Sequence, residues 1–193
     1  FTNDNYYPKL GNVLEQKIYH KISKGFRNIN SLIGDGNEKL YVNMRATFWI
    51  KSFITQPYKS NEYKEFLISK KNVHLVNIIL NSSLFWWLWV KVSDCWHLTN
   101  KEFSIFTTPD LSNVDYLKVE TLSNKINEEL DKTKETVNTK QTMYEYKHKR
   151  CKHIIDQIDD YLALLYGFSA EEINYIKHYK ENYRLGISND ECN

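Results

Sequence analysis

The chain has 193 residues, 41% of them hydrophobic and 15% aromatic, which is enough for one domain with a sizeable core plus an appendage. A formal net charge of +2 neither requires nor excludes a nucleic-acid partner, because the distribution of charge over the surface decides such binding. Three cysteines cannot all pair within one chain and their spacing excludes a disulfide framework, so we expect a reducing, cytoplasmic setting.

The first half of the chain is predicted to mix helix and strand. It starts at Phe1 without an initiator methionine or a signal-like apolar segment, as a piece cut from a longer polypeptide would. Apolar residues at helical spacing predict a helix over residues 10–26, and a glycine-flanked aspartate predicts a loop over residues 28–39. The alternation in residues 40–53 predicts a pair of strands, and we expect a polar loop from there to Asn72.

Residues 75–92 are mostly apolar and contain three of the five tryptophans. We predict one long helix that is the central packing element of the domain, with most of its aromatic side chains in the core and one of its indoles exposed. The asparagines and serines in its first half, and its reliance on tryptophan for apolar content, argue against a membrane span. The helix leads into a turn at residues 93–96, which we expect Asp94 and His97 to brace.

The second half of the chain is predicted to be helical throughout. Residues 114–137 carry a narrow apolar stripe (Leu117, Leu122, Ile126, Leu130 and Val137), whose width suits packing against one partner helix. A second helix is predicted over residues 143–166, with Gly167 as its end. A capping box that opens with Ser169 predicts a last helix over residues 170–183.

These elements predict an α+β fold in two parts. A mixed globular domain with a small sheet and the aromatic-rich helix would occupy residues 1–109. A helical spacer and C-terminal helices would follow over residues 110–193. We find no internal repeat and no low-complexity segment that would point to another architecture.

Motifs for catalysis are scarce. No glycine-rich phosphate or cofactor loop is present. Glu62 and Lys64 have the Glu-x-Lys spacing that metal-dependent nucleases use, which leaves a nuclease as an alternative function, although solvated surface charge explains the same spacing. Cys151 lies among cations where a helix begins to be buried, so we interpret it as a core residue and not as a zinc ligand.

Polar and aromatic side chains concentrate in two other places, around the predicted strands (residues 43–64) and in the turn after the tryptophan helix (residues 91–97). Cations at such positions supply phosphate contacts, and polar side chains in loops can bind the edges of bases. The tryptophans of the helix itself are interpreted mainly as scaffold.

One segment is recognisable. ILNSSLFWWLWVKVSDCWHLTNKEF (residues 79–103) closely resembles a block of type IIG-like restriction–modification enzymes and their adenine-specific DNA methyltransferase relatives. Three further stretches resemble blocks of the same family in the same order: YPKLGNVLEQKI (7–18), RATFWIKSF (45–53) and IDDYLALLYGFSAEEINYIKHYKENYRLG (158–186). The resemblance spans nearly the whole chain, and its specificity comes from the four blocks being collinear.

The resemblance implies a target-recognition domain that binds double-stranded DNA in a sequence-specific way and has no catalysis of its own. In that family the S-adenosylmethionine site and the catalytic motif lie upstream, so the cofactor, and Mg²⁺ if the parent enzyme cuts DNA, would belong to the upstream methyltransferase part. That part would be a partner of this segment, and no membrane would be involved. The other alternative is a protein-interaction module whose helical tail docks on the methyltransferase domain.

Under this reading we assign roles to individual residues. Five cations would contact phosphates or guanine edges: Arg45, Lys51, Lys59, Lys64 and Lys91. Five polar side chains would bind base edges in the grooves: Asn43, Gln56, Tyr58, Ser93 and His97. Trp96, in the turn, is expected to lie beside them at the DNA surface.

Overall fold

The computed structural model describes residues 7–25, 27–58, 60–140 and 142–187 and confirms the α+β class. The helices are α1 (Val13–Ser23), α2 (Val73–Leu80), α3 (Ser83–Val92), α4 (Asn100–Ile105), α5 (Tyr116–Thr133), α6 (Lys152–Tyr166), α7 (Ala170–His178) and α8 (Glu181–Leu185). The strands are β1 (Ile33–Asn43), β2 (Ser52–Phe53), β3 (Tyr63–Ile68), β4 (Glu135–Thr136) and β5 (Tyr144–Glu145). Short 3-10 helices lie at Ile29–Leu32, Leu111–Asn113 and His148–Cys151. Helix α1 lies within the segment predicted over residues 10–26.

A three-stranded antiparallel sheet has the order β2-β1-β3. On the central strand Tyr41 lies opposite Phe53 of β2 and Glu65 of β3. The predicted pair of strands within residues 40–53 is therefore confirmed. The two predicted loops beside it are wrong, because β1 already begins inside residues 28–39 and β3 lies in the polar segment before Asn72.

Both errors have a physical cause. Strand β3 buries only Phe66 and Ile68, so its other residues give it the composition of a loop. Strand β1 contains Gly34, at a φ of 85°, where the pairing with β3 shifts register. At Gly36 a Cβ atom would lie 2.3 Å from the Cα of Ser69, so only glycine allows the close approach there. These glycines mark an irregular strand and not a loop.

The tryptophan helix predicted over residues 75–92 is two helices, α2 and α3, which meet at an angle of 65°. Ser82 separates them, because its hydroxyl oxygen accepts a hydrogen bond from the backbone N–H of Phe85 (3.0 Å) and caps α3. Phe85 and the three tryptophans of α3 are all at most 3% exposed, so the expectation that one of these side chains is exposed is wrong. Within the described residues no single helix is long and apolar enough to cross a membrane, and only this bent pair together has that length and composition.

Small polar residues beside the tryptophans form a buried hydrogen-bond network, which we call the amide network. The side-chain amide of Asn81 donates to the carbonyl oxygen (3.0 Å) and the hydroxyl oxygen (2.9 Å) of Ser52. The Ser52 hydroxyl donates to the side-chain oxygen of Asn77 (2.8 Å), and Asn127 donates to the Ser52 carbonyl (3.1 Å). His148 Nε2 lies 3.2 Å from the side-chain oxygen of Asn81. The network joins α2, β2, α5 and the third 3-10 helix in the interior, where an unpaired amide would be costly.

Helix α5 packs against α2 and carries the predicted apolar stripe. Leu122, Ile126 and Leu130 are buried, while Leu117 and Val137, at the two ends of the predicted stripe, are exposed. Helix α5 also packs against α6, so the single partner helix that the width of the stripe predicted is wrong, and the buried part of the stripe is covered within this chain. A docking role on another protein would have to use surfaces other than the buried part of this stripe.

The last quarter of the chain differs in part from the prediction. The helix predicted over residues 143–166 does not begin at residue 143. Its first residues instead form β5 and a 3-10 helix, and β5 pairs with β4 in a hairpin. Gly167, at a φ of 64°, ends α6 as predicted, and the capping box at Ser169 is confirmed. The last predicted helix is divided into α7 and α8 by Lys180, which has a φ of 50°. The proposed division of the chain after residue 109 stays a prediction.

Candidate nucleic-acid interface

Helix α3 fixes two surface segments through the indole groups of its tryptophans. We call residues 44–48 the loop and residues 93–97 the turn. The indole N–H of Trp86 donates to the carbonyl oxygen of Thr47 in the loop (3.0 Å), and that of Trp89 donates to the carbonyl oxygen of His97 in the turn (2.8 Å). Because both rings are buried and rigid, each bond ties a surface segment to the core.

The loop and the turn are also joined to each other. The backbone N–H of Ala46 donates to the carbonyl oxygen of Trp96 (3.1 Å). Next to this bond Arg45 and His97 lie opposite each other as an isolated antiparallel bridge. Residues that are directly opposed in an antiparallel pair present their side chains on the same side. The structure therefore places Arg45 and His97 on the same side, and Trp96 precedes His97 in the turn; all three were assigned to DNA from the sequence.

The turn is built around Asp94. Its carboxylate accepts hydrogen bonds from the backbone N–H groups of Trp96 (2.9 Å) and His97 (2.8 Å), and it lies 2.8 Å from the Nδ1 atom of the His97 ring. The backbone N–H of His97, together with these other bonds, holds the pKa of Asp94 below its usual range. Cys95 has a φ of 59°, and the buried Ser93 hydroxyl accepts from its N–H (2.9 Å). The predicted brace is confirmed, and it leaves Trp96 53% exposed.

Arg45 is exposed but paired. Its guanidinium lies 3.2 Å from the Glu62 carboxylate, and its side chain is 51% exposed. The side-chain oxygen of Asn43 accepts from the backbone N–H of Arg45 (2.8 Å), and Asn43 itself is buried. Asn43 therefore positions Arg45 and cannot reach a base edge from its place in the interior. An exposed ion pair contributes little, so the guanidinium of Arg45 can exchange its partner for another anion.

Two lysines assigned to phosphates are partly or wholly buried, and one of them is held by the protein itself. The ammonium of Lys91 lies 2.5 Å from the Glu15 carboxylate, with both side chains less than a tenth exposed. Burial alone would lower the pKa of Lys91, but hydrogen bonds with Glu15 and Tyr179 raise it overall. Burial lowers the pKa of Lys51. The expected phosphate contact of Lys91 is incompatible with this position, and Ser93 is likewise buried and bonded within the turn. Lys51 is half-buried, and its assignment stays a prediction.

The remaining candidates that the structure describes are exposed residues outside the loop and the turn. Tyr58 is exposed and packs edge-on against Tyr144 of the β4–β5 hairpin, with ring centroids 5.3 Å apart. Gln56 and Lys64 are exposed. Within the described segments none of the three hydrogen-bonds to the loop or the turn. Lys59 lies outside the described residues.

The side chains of the alternative nuclease pair have different partners. Glu62 binds Arg45, whereas the ammonium of Lys64 lies 5.0 Å from the ring centroid of Phe66. Over the described parts of the chain, His, Cys, Asp and Glu side chains form no group of three or more that could hold a metal ion. Cys151 is buried in the core as predicted, and burial raises the pKa of its thiol to about 11.

Two aromatic residues beside the loop were missed in the sequence. Phe48 (40% exposed) and Tyr183 of α8 (65% exposed) pack edge-on, with ring centroids 4.9 Å apart. The next residue, Arg184, reaches under the loop between the rings of Trp49 and Trp86. No local pattern could have linked α8 to the loop, because these contacts join residues that lie about 136 positions apart.

This surface offers exposed aromatic, imidazole and guanidinium groups on a rigid support. Comparisons with protein-family models, with curated proteins and with solved structures found no match to this chain. The relation to restriction–modification enzymes therefore rests on the four resembling segments alone and stays a prediction.

Proposed function

We propose that this chain is a sequence-specific double-stranded DNA recognition module of a restriction–modification adenine methyltransferase. It directs methylation, and cleavage where the parent enzyme has that activity, to a short site. The chemistry, with S-adenosylmethionine and any Mg²⁺, belongs to upstream domains of the same polypeptide. Such an enzyme works in the cytoplasm, where the DNA is.

One observation carries the proposal. The loop and the turn are each bound by an indole N–H of α3 and are hydrogen-bonded to each other, and they present Arg45 and His97 on the same side, with the exposed Trp96 next to His97 in the turn. Recognition of a DNA sequence needs side chains held in a fixed register by a rigid scaffold, because contacts to base edges depend on direction. The buried tryptophans supply this rigidity.

The residues of this surface have different roles. Arg45 contacts a phosphate or a guanine edge when it leaves Glu62, His97 binds a base edge, and Trp96 contacts the sugar–base surface of the groove. Asn43 and Ser93 support these residues from below. The exposed Gln56, Tyr58 and Lys64 are candidates for additional contacts along the duplex.

The test begins with selection of duplexes from a randomised library by the purified chain, followed by affinity measurements at several salt concentrations. We expect an enriched sequence and an affinity that falls steeply with salt. Arg45→Ala should reduce the slope of log K against log salt by about one if the residue contacts a phosphate. If it contacts guanine, the variant should instead lose discrimination at one base pair.

Lys132→Ala is the matched control, because Lys132 is a 67% exposed cation on α5, away from the loop and the turn. It should leave both the slope and the selected sequence unchanged. A library from which no sequence is enriched, or an affinity that does not respond to salt, would refute the proposed function.

A further inference from the structure

Arg184 connects the C-terminal helix to the loop. Its guanidinium carbon lies 3.8 Å from the ring centroid of Trp49 and 4.3 Å from that of Trp86, so the charged group lies close to both aromatic rings. Its Nε–H donates to the carbonyl oxygen of Phe48 (3.3 Å). With only 3% of its surface exposed, Arg184 cannot itself reach a duplex.

Arg184 and α3 hold consecutive positions of the loop. The carbonyl of Thr47 accepts from the Trp86 indole, and the carbonyl of Phe48 accepts from Arg184. Because Trp86 also contacts the guanidinium, these two donors form one packed unit. The loop carries Arg45 two residues before the first of these carbonyls. The position of the loop is therefore fixed from its buried side by Arg184, a residue of α8.

The charge of this guanidinium is only partly compensated inside the protein, because its two terminal nitrogens are buried without a hydrogen-bond partner among the described residues. Asp159 of α6 attracts it, and Asp159 in turn accepts from the backbone N–H of Ser83 at the start of α3 (2.9 Å). Burial lowers the pKa of Arg184 to about 10, which still leaves it charged at neutral pH. A planar guanidinium binds between aromatic rings in a way that a lysine ammonium cannot reproduce.

We propose that Arg184 is a positioning residue for DNA recognition, which fixes the loop that carries Arg45 without touching DNA. The inference rests on the proposed function of the loop and the turn. It gives α8 a role in recognition, although the sequence assigned this segment to the helical tail.

The indole protons of the tryptophans test the positioning directly. In Arg184→Lys the charge is kept and the plane is lost, so the loop should open more often. NMR of protein labelled at the indole nitrogens should then show exchange of the Trp86 proton, which is bonded to the loop, accelerated by at least about tenfold relative to that of Trp89, which is bonded to the turn. Global unfolding would accelerate both protons alike. Arg150→Lys is the matched control, because Arg150 is half exposed and paired with Glu135.

Binding supplies the second readout. The ratio of affinities for the selected and a scrambled duplex should fall at least about fivefold in Arg184→Lys, as expected when one base contact is misplaced. The proposal is overturned if Arg184→Lys accelerates exchange of the two indole protons equally. It is also overturned if exchange of the Trp86 proton is accelerated but the ratio of affinities for the two duplexes does not change. If Arg184→Lys does not fold, the unsubstituted protein supplies the test. A Trp86 indole proton that exchanges there as fast as the proton of a free indole also overturns the proposal.

The two proposals fail in different ways. A chain that selects no duplex refutes the proposed function, and it also removes the role of Arg184 in recognition. A chain that selects a duplex, but whose Trp86 proton and specificity ignore the substitution, refutes only the role of Arg184.

Discussion

Two polar clusters border the tryptophan helix, and they differ in what they leave free for a ligand. In the amide network Asn77, Asn81 and Ser52 are at most 1% exposed and bond to one another. In the loop and the turn Arg45 and His97 are more than half exposed and are held by their backbones. Both clusters have the composition of a binding site, but only the second exposes its side chains to solvent, where they form ion pairs that a ligand can replace.

The difference follows from the partners with which each cluster forms its hydrogen bonds. A polar group in the interior must be satisfied by the protein, because no water reaches it, and a satisfied group has nothing left for a partner. At the surface water competes for every side chain, so a ligand can replace either water or a weak ion pair. Substitutions in the first cluster should therefore change stability, and substitutions in the second should change binding.

The largest effect is expected in the amide network. Asn81→Ala removes the amide that bonds to Ser52 and to Asn77 and leaves buried partners unsatisfied. We expect the free energy of unfolding to fall by about 3 kcal/mol, measured by urea denaturation. The exposed Asn100→Ala should change it by less than about 0.5 kcal/mol. A loss of stability as small as that of the control would show that the network does not stabilise the fold.

The next effect is expected at Trp96, in the turn. Trp96→Ala should weaken binding to the selected duplex by roughly 1–3 kcal/mol, because the exposed half of the indole ring is removed from water when it packs against the groove. Stability should change little, because half of the ring is already in water. Fluorescence anisotropy with a labelled duplex measures the affinity.

Leu117→Ala is the control for Trp96, because it removes a 75% exposed apolar side chain from α5. It should leave affinity unchanged. If Trp96→Ala binds the duplex as tightly as this control but unfolds more easily, the turn stabilises the fold, as the amide network does, and does not bind DNA.

Two buried titratable groups, His148 and Asp159, should make the stability of the interior depend on pH. Burial lowers the pKa of His148 well below 6.5 and keeps the ring neutral. The folded state therefore loses stability as the pH falls below 6.5, because only the unfolded chain binds a proton at this residue. Burial raises the pKa of Asp159 from 3.8 to about 6. Between these two values the folded state binds the proton first, and stability increases as the pH falls.

The two effects oppose each other between pH 6 and 5. The stability of the unsubstituted protein should therefore change little in this range. His148→Gln should gain about 1 kcal/mol per pH unit as the pH falls, and Asp159→Asn should lose about as much. Urea denaturation at several pH values measures both slopes. Equal slopes in the two variants would mean that these groups do not titrate as their burial requires.

The sequence predicted the parts of the fold that local patterns encode. Helix α1, the end of α6 at Gly167 and the capping box at Ser169 depend on residues within a few positions. Strand β3 and the β4–β5 hairpin were missed because most of their residues are exposed and resemble loop. The break between α2 and α3 depends on Ser82, whose capping role an apolar pattern does not reveal.

The candidate site was predicted in part for the same reason. Arg45, Trp96 and His97 are near one another because of pairing between two segments that the resemblance had already singled out. Residue type alone could not separate Arg45 from Lys91, since only the fold places Glu15 beside Lys91. Contacts of α8 with the loop span most of the chain and have no local signature.

The smallest effect separates DNA recognition from the alternative nuclease. Glu62→Gln removes the carboxylate that pairs with Arg45 at 3.2 Å. If Arg45 binds DNA, the variant should bind about two- to threefold more tightly, because an exposed ion pair of modest strength no longer competes with phosphate. If Glu62 instead holds a divalent ion, Mg²⁺-dependent cleavage by the unsubstituted chain should disappear in the variant.

Glu65→Gln is a close control for Glu62→Gln, because Glu65 forms an exposed pair with Lys39 at 3.1 Å on the same sheet. Removing this carboxylate changes the net charge by the same amount, so a general electrostatic effect would appear in both variants. Tighter binding in Glu62→Gln alone assigns the effect to Arg45. Cleavage that survives Glu65→Gln and is lost in Glu62→Gln would favour the nuclease, and the exposed cluster would then act on DNA chemically.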